Sequence, residues 1–491
     1  MGQDPGVTLV DFLAFFWLVI SVMLRIGVVI ILISSIDDFF IDLHYWYWRL
    51  THHGDWRRSD ALPPHADALY RDRQQHIAIM IPAWHEAPVI ARMADYLARS
   101  FDYDNYHVFI GTYPNDPETQ AEVDKVVERY PHLHKVVTNR AGPTTKADCL
   151  NHIIAAITAF EARHGLHFGC LAYHDAEDVV HPLELRVFNH LVPHHDLVQL
   201  PVMPLVRPWW QMVGNHYVDE FAEWHGKDLL VRQRLTGQVP SAGVGTAFSR
   251  KAIALLEEIN EGQVFDTSAL TEDYEIGVRL HEVGARQMLV HYPVRFEGQP
   301  PAWFRRAGVQ DTVCVQEYFP HAVSGAVRQK ARWVVGIVFQ SWHKLGWRGD
   351  LAMRYMLMRD RKSVLAFPSL LLGYLIVLSV LVREGHLLID PDWWRFPDLI
   401  PADSTFWTLA FINFLFMLNR LAQRFVCTQR HYGFWQGVQS VPRMVVGNFI
   451  NIGAFFRAFL LMRASGRSGR PVRWDKTHHV FPDLHAGERE P

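Results

Sequence analysis

The stretch Leu171-Ala-Tyr-His-Asp-Ala-Glu-Asp-Val-Val180 carries three carboxylates, Asp175, Glu177 and Asp178, over four positions. It opens apolar, as a strand inside a sheet does, and then turns acidic. Side chains alternate along a strand with period two, so an acid-x-acid pair at its end aims two carboxylates at one point. Two such groups repel unless a positive charge stands between them. A hard divalent cation does this, taking one or two carboxylates and filling its shell with phosphate oxygens. Asp175 and Glu177 are therefore candidate ligands of Mg2+ or Mn2+ in a site that holds a diphosphate. An acidic surface turn after a strand gives the same pattern.

Three further groups can do chemistry. Leu270-Thr-Glu-Asp-Tyr274 sets Glu272 and Asp273 just ahead of a helical pattern, Ile276 to Val283. A carboxylate near a metal–diphosphate site is what a general base requires. Thr271 can also cap that helix, with the acids complementing its dipole. In Arg328-Gln-Lys-Ala-Arg-Trp333, Gln329, Arg332 and Trp333 share one helix face by their i, i+3, i+4 spacing. Arg332 can clamp phosphate and Trp333 can stack on a sugar ring. A basic helix lying on a membrane surface reads the same way. Ser241-Ala-Gly-Val-Gly-Thr-Ala-Phe248 can let backbone approach a ligand, or can be an ordinary turn.

These groups need a frame. From His76 the pattern alternates strands (His76–Pro82, His107–Tyr113, a third at Lys135, then 171–174) with helices (Ala83–Ser100, Glu118–Arg129, Lys146–Arg163). Alternation of this kind predicts an α/β domain with a mostly parallel sheet covered on both faces. Ligands of such sheets bind at the carboxyl ends of the strands. Pro82-Ala-Trp-His-Glu86, Tyr113-Pro-Asn-Asp116 and Asp175-Ala-Glu-Asp178 all fall at such ends.

Around this domain lie apolar runs. Phe12 to Ser34 is long enough to cross a ~30 Å hydrocarbon core and lacks the basic start and cleavage site of a signal peptide. Arg25 interrupts it. Lys362 to Val382 and Phe406 to Leu418 are further spans, while Pro442 to Met462, broken by Arg443, Asn448, Asn451 and Arg457, suits an interfacial helix. The expected organisation is an N-terminal membrane anchor (1–36) and a juxtamembrane segment (37–75). A cytoplasmic catalytic domain (76–345) comes next. A membrane region (346–462) follows, with spans near 363–382 and 405–420 and the interfacial helix near 442–462, and then a basic tail (463–491). Arg57, Arg58, Arg420, Arg424 and the tail cations then share the cytoplasmic side, as positive charge prefers, with Trp393 and Trp394 as interface anchors of the outer loop. With 48 basic against 51 acidic residues the chain lacks the excess of a nucleic-acid binder, and its 4 scattered cysteines suggest neither a disulfide framework nor a zinc site.

The order of these motifs resembles membrane-bound glycosyltransferases of family two, which share the nucleotide-diphospho-sugar (GT-A) fold with cellulose and hyaluronan synthases. The resemblance implies that Asp175 and Glu177 bind metal and diphosphate. It implies that Asp273, beside Glu272, supplies the base, and that Gln329, Arg332 and Trp333 bind pyrophosphate and line the acceptor site. It further implies that Lys146, opening Lys-Ala-Asp-Cys-Leu-Asn151, stands near the nucleotide, and that Pro82, Glu86 and Asp116 contact the donor. Two positions depart from the family pattern: Glu177 replaces the second aspartate of the metal motif, and Thr112-Tyr113 stand where an Asp-Asp-Gly is usual.

A nearer resemblance runs along almost the full chain. Ile-Pro-Ala-Trp-His-Glu86, Gly-Thr-Tyr-Pro-Asn-Asp116, His-Asp-Ala-Glu-Asp178 and Gly-Gln-Val-Pro-Ser-Ala-Gly-Val-Gly-Thr246 are similar to the bacterial inner-membrane phage-adsorption B family. That family implies a UDP-sugar donor, an N-acetylhexosamine polymer (N-acetylmannosamine first) as acceptor and product, membrane lipid around it, and an outer-membrane secretion partner. The chain ends at Pro491, soon after Trp474-Asp-Lys-Thr477, so control by cyclic di-GMP is expected through another component. Two other functions fit the same motifs: transfer of a single sugar to a polyprenyl phosphate, and a non-catalytic scaffold of a secretion complex.

Overall fold

The computed structural model describes residues 9–51, 61–297, 312–390, 399–401, 404–468 and 479–483. Arg57, Arg58, Trp393, Trp394 and the Trp474 element lie outside the described residues, as do Arg470, Arg473 and Lys476 of the tail.

The strands are β1 (His76–Pro82), β2 (Tyr106–Thr112), β3 (Leu133–Val137), β4 (Phe168–Tyr173), β5 (Leu197–Gln199), β6 (Thr246–Ser249) and β7 (Gln287–Leu289). They form one sheet in the order β3-β2-β1-β4-β6-β5-β7. All pairings are parallel except the two made by β6. Ile77 to Ile81 of β1 are consecutively buried, which is how a strand covered on both faces reads.

The helices are α1 (Leu9–Thr51), α2 (Ile90–Ser100), α3 (Pro117–Arg129), α4 (Lys146–His164), α5 (Glu184–Leu191), α6 (Met212–Glu223), α7 (Leu229–Thr236), α8 (Arg250–Ile259), α9 (Glu272–Glu282), α10 (Val323–Trp333), α11 (Ser341–Leu345), α12 (Leu351–Arg361), α13 (Ser363–Ile389), α14 (Thr405–Tyr432) and α15 (Phe434–Ser468). Ile90, Met93, Ala94 and Leu97 of α2 turn one apolar face to the sheet. Asp116 caps α3, with Pro117 at its first position, and Thr145 caps α4, which ends at left-handed Gly165.

Register decides where the site falls. Pro82 pairs with Gly111, and Met80 with Tyr173, so the carboxyl ends of β1, β2 and β4 stand side by side. β6 is antiparallel to β4, with Thr246 opposite Tyr173. The loop before β6 therefore rises at the edge where the acidic turn after β4 begins.

Several boundaries differ from the sequence reading. α2 starts at Ile90 rather than Ala83, because Pro88 disfavours helical geometry before it and His85 takes a positive φ of 55°. α9 starts at Glu272 rather than beyond it. α1 continues through the aromatic juxtamembrane segment to Thr51, since no glycine or proline interrupts 28–53.

The chain forms two compact units: Met1–His44 with Arg361–Gln423, and Tyr45–Asp360 with Arg424–Pro491. In the first, Lys362 Nζ pairs with Asp37 (2.8 Å) and Asp38 (2.5 Å), and Asn419 donates to Asp42 (2.8 Å). The second holds the sheet. Among the described residues, four helices are long and apolar enough to cross a membrane: Asp11–Thr51, Leu351–Ile389, Thr405–Tyr432 and Phe434–Ser468. The sequence reading has three spans. The fourth helix, α15, buries its inner face on the sheet-bearing unit. There Arg443 makes a two-pronged contact with Asp219 (2.8 Å each), and Asn451 donates to Glu220 (3.1 Å).

Candidate active site

A cleft opens at the carboxyl edge of the sheet. Pro82 and Glu86 line it from the β1 end, Thr145 and Lys146 from the start of α4, and Asp175 and Glu177 from the turn after β4. Ala242 and Val244 come from the loop before β6, Glu272 and Asp273 from the first turn of α9, and Gln329, Arg332 and Trp333 from α10. Every site residue expected from the sequence lines the cleft except Asp116. That carboxylate is buried and engaged elsewhere: it accepts from Thr119 N (3.3 Å) as the cap of α3 and from His85 N (2.6 Å).

The acid-x-acid pair is shared between two cations. Lys146 Nζ lies 2.5 Å from Asp175 Oδ1, 4.7 Å above the Tyr173 ring, and 3.5 Å from the Gly243 carbonyl. Burial opposes the lysine's charge, but Asp175 and Glu272 outweigh it and raise its pKa. Glu177 has a different cationic partner. Its Oε2 lies 3.1 Å from His479 Nδ1, and the same nitrogen lies 3.0 Å from Glu86 Oε1. Burial raises the Glu177 carboxyl against the pull of His479. Burial opposes the charge on His479 too, but Glu177 and Glu86 prevail and raise its pKa well above the usual histidine range.

The turn that presents these acids is fixed from below. His174 is fully buried, with Nδ1 2.8 Å from Asp178 Oδ2 and Nε2 2.6 Å from Glu184 Oε1. Burial opposes its charge, yet Glu184 and Asp178 lift its pKa to about 10. Asp178 Oδ2 also accepts from Asp175 N (3.0 Å), so the turn closes on itself. Asp178 is thus a support of the site and not a cleft residue.

At α9, Tyr173 donates to Glu272 Oε1 (3.1 Å), and Asp273 Oδ1 accepts from Tyr274 N (2.7 Å). Burial raises both carboxyls, and Lys146 holds each back in part. Thr271 occupies the cap position of α9 but makes no capping bond with its side chain. Asp273 Oδ2 points at Gly243, where an added Cβ would lie 2.4 Å from it. That glycine has a φ of 74°, so the loop needs glycine for both reasons. On α10, Trp333 is wedged edge-on against Tyr217 (ring centroids 6.1 Å) and Phe319 (6.4 Å), which leaves its position set by packing.

Three polar cleft residues escape the sequence reading: Thr145, Glu317 and His479. Thr145 adjoins the motif opened by Lys146. Glu317 and His479 carry no local signal, and only the fold brings them in.

The arrangement can hold an anionic, metal-associated group between Lys146 and Arg332, with an ionisable acid, Asp273, beside it. The family described as "Glycosyltransferase like family 2" matches residues 74–336. The chain is 44% identical over 459 residues to Bacteriophage adsorption protein B of Escherichia coli (strain K12) and to Bacteriophage N4 adsorption protein B of Escherichia coli O157:H7, covering 93% of this chain in each case. It spans 61% of the length of those relatives. It is 23% identical over 306 residues to a Beta-monoglucosyldiacylglycerol synthase of Synechocystis, covering 56% of this chain and 58% of that one. Among solved structures, it is similar to a mannosyltransferase from Pyrobaculum calidifontis in complex with GDP-Man and Mn2+ (14% identity, TM-score 0.48, 85% of this chain and 99% of that one). A glucosyl-3-phosphoglycerate synthase of Mycobacterium tuberculosis in complex with Mn2+, UDP-Glc and phosphoglyceric acid is also similar (14% identity, TM-score 0.28, 50% and 78%). With its GT-A-type sheet and its matched catalytic region, the chain belongs to glycosyltransferase family 2.

Proposed function

We propose that the chain is a membrane-bound inverting glycosyltransferase that moves an N-acetylhexosamine, N-acetylmannosamine first, from a UDP-sugar to a growing exopolysaccharide and couples growth to export. The observation that carries the transfer chemistry is the cleft itself: it gathers Lys146, Asp175, Glu177, Asp273, Arg332 and Trp333 from four separate segments. The sugar, the polymer and the outer-membrane partner follow from the family resemblance and not from the cleft. The same holds for inner-membrane residence with the catalytic unit in the cytoplasm.

Asp273 takes the proton of an acceptor hydroxyl at Oδ2, the oxygen that Gly243 leaves uncovered. The acceptor oxygen then displaces the diphosphate from the anomeric carbon in one step, inverting it. Lys146 and Arg332 offset the charge on the departing diphosphate, and Trp333 gives the acceptor ring a flat surface to lie on. Asp175 and Glu177 offer hard oxygen donors on one side of the cleft, and the cations already drawn to each show that the pair favours positive charge. They fit Mg2+ or Mn2+, which when bound would neutralise the leaving diphosphate. Pro82 and Glu86 would close the donor side.

The test is UDP release by detergent-purified protein with Mg2+ or Mn2+ and a panel of UDP-sugars. One N-acetylhexosamine donor should support release, and Asp273→Asn should reduce it by roughly 10²–10⁴-fold. A product that lengthens with time separates polymer synthesis from transfer of one sugar to a polyprenyl phosphate. Absence of turnover with every donor, also with the outer-membrane partner and cyclic di-GMP added, would favour the scaffold.

A further inference from the structure

Asp273 has a neighbour that the transfer chemistry leaves unused. Tyr274 donates its main-chain N–H to Asp273 Oδ1 (2.7 Å) and its hydroxyl to Asp360 Oδ2, at the end of α12. Arg232 of α7 grips the same Asp360 carboxylate, with Nη1 2.8 Å from each oxygen, while its Nε donates to Gln238 Oε1 (2.5 Å). The Arg232 and Asp360 side chains are 2% and 3% exposed. Desolvation offsets most of the attraction within such a pair, so it stabilises little. What its directed, charge-assisted bonds do fix is orientation.

Packing grips the same side of α9. Tyr274 and Val278, one turn apart, meet Leu345 of α11 and Met353 and Leu357 of α12. At Gly277 an added Cβ would lie 2.3 Å from the Val239 carbonyl oxygen and 2.8 Å from Gln238 Nε2, so α9 sits hard against the segment after α7. The first turn of α9 presents Glu272 and Asp273 to the cleft, yet Thr271 makes no capping bond there. That turn is anchored through Tyr274 instead. One Asp273 oxygen, Oδ1, is thereby engaged, and the other, Oδ2, is the one turned to Gly243.

We propose that Arg232, Asp360 and Tyr274 are positioning residues for the base: the ion pair holds the tyrosine hydroxyl, and the tyrosine main chain holds Asp273 Oδ1 so that Oδ2 meets the acceptor hydroxyl. None of the three lines the cleft, so their effect passes through Asp273. The inference rests on the transferase reading and deepens it.

The experiment measures UDP release by the full chain in detergent with Mn2+ and UDP-N-acetylhexosamines, resolved into kcat and donor KM. Tyr274→Phe keeps the ring and the main-chain N–H but loses the hydroxyl. It should lower kcat by about 10–10²-fold and change donor KM by less than about twofold, as misplacement of a group that acts in the transition state does. In the Asp273→Asn background the same substitution should add less than about twofold, because it acts through the base. Arg232→Met combined with Asp360→Leu exchanges the ion pair for apolar side chains. Its unfolding midpoint should stay near that of the wild type while kcat remains as low as in Tyr274→Phe. Thermal unfolding identifies a double variant that has failed to fold, and Tyr274→Phe then decides alone. Tyr274→Phe at wild-type kcat, a full further loss on top of Asp273→Asn, or wild-type kcat in the folded double variant would each overturn the inference. Asp273→Asn inactive beside a fully active Tyr274→Phe defeats this inference alone. Asp273→Asn turning over like the wild type, or a wild type that releases no UDP, defeats the transferase reading and the inference with it.

Discussion

Gly243 shows how narrowly single residues define the site. A methyl group there would meet Asp273 Oδ2 at 2.4 Å, and the backbone φ of 74° disfavours any side chain. Gly243→Ala should therefore displace the base and cut turnover by about 10²-fold, as ångström-scale misplacement does. Thermal unfolding should change only modestly, and a variant with normal turnover would show that Asp273 is not the base. The pH dependence has a definite sign. As the proposed base, Asp273 would act only when ionised, and burial raises its pKa against the attraction of Lys146. The rate should thus fall as pH is lowered through a value above the ordinary aspartate pKa of about 3.9. Lys146→Met removes the attraction, so its acid limb should move to higher pH. An acid limb that stays in place in that variant would contradict the coupling.

At the scale of elements, α15 matters as much as the strands. Its outward side exposes Phe434, Val438, Val441, Val445, Phe449, Phe456 and Leu460 at helical spacing. Its inward side buries Arg443 against Asp219, packs Ala454 and Ala458 on Ala331 and Val335, and shares Lys330 of α10 through Asn451 (2.8 Å). Breaking a buried ion pair by removing one partner costs about 3–5 kcal/mol. Arg443→Met should lower the unfolding midpoint accordingly, and Asp219→Leu combined with it should restore most of the loss. A double variant no better than the single one would assign the cost to packing instead.

The strands that hold the acidic turn were legible because a buried apolar run followed by Asp-Ala-Glu is a local signal. So was the helix face of Gln329, Arg332 and Trp333. The start of α2 was misread because the apolar spacing hid the left-handed His85 and the effect of Pro88. Asp116 stands at a strand end and the resemblance implies a donor contact, yet the helix that follows claims it as a cap. Arg443, Asn451 and Arg457 were read as interruptions of an apolar run. Two of them are contacts to residues over 200 positions away, which no local pattern reveals. His479 is the extreme case, meeting Glu86 across 393 positions.

For the whole molecule, the catalytic unit is discontinuous: it needs Tyr45–Asp360 and also Arg424–Pro491. Arg424 and Lys227 hold Glu223 at 3.2 and 3.0 Å, and Asp219 depends on Arg443. A chain ended after Asp360 would bury Asp219 without its arginine and leave the core without Phe481. It should be protease-sensitive and fail to bind donor. A stable, donor-binding fragment of that length would show that α15 is an accessory.

The long reach to His479 also sets a clock on biosynthesis. A ribosome completes the sheet, the acidic turn and Asp273 well before it reaches Arg443, Phe481 and His479. Until those residues emerge, Glu86 and Glu177 have no histidine between them, and the carboxylates of α6 wait for their arginines. The cleft therefore reaches its full set of lining residues only after α15 has left the ribosome.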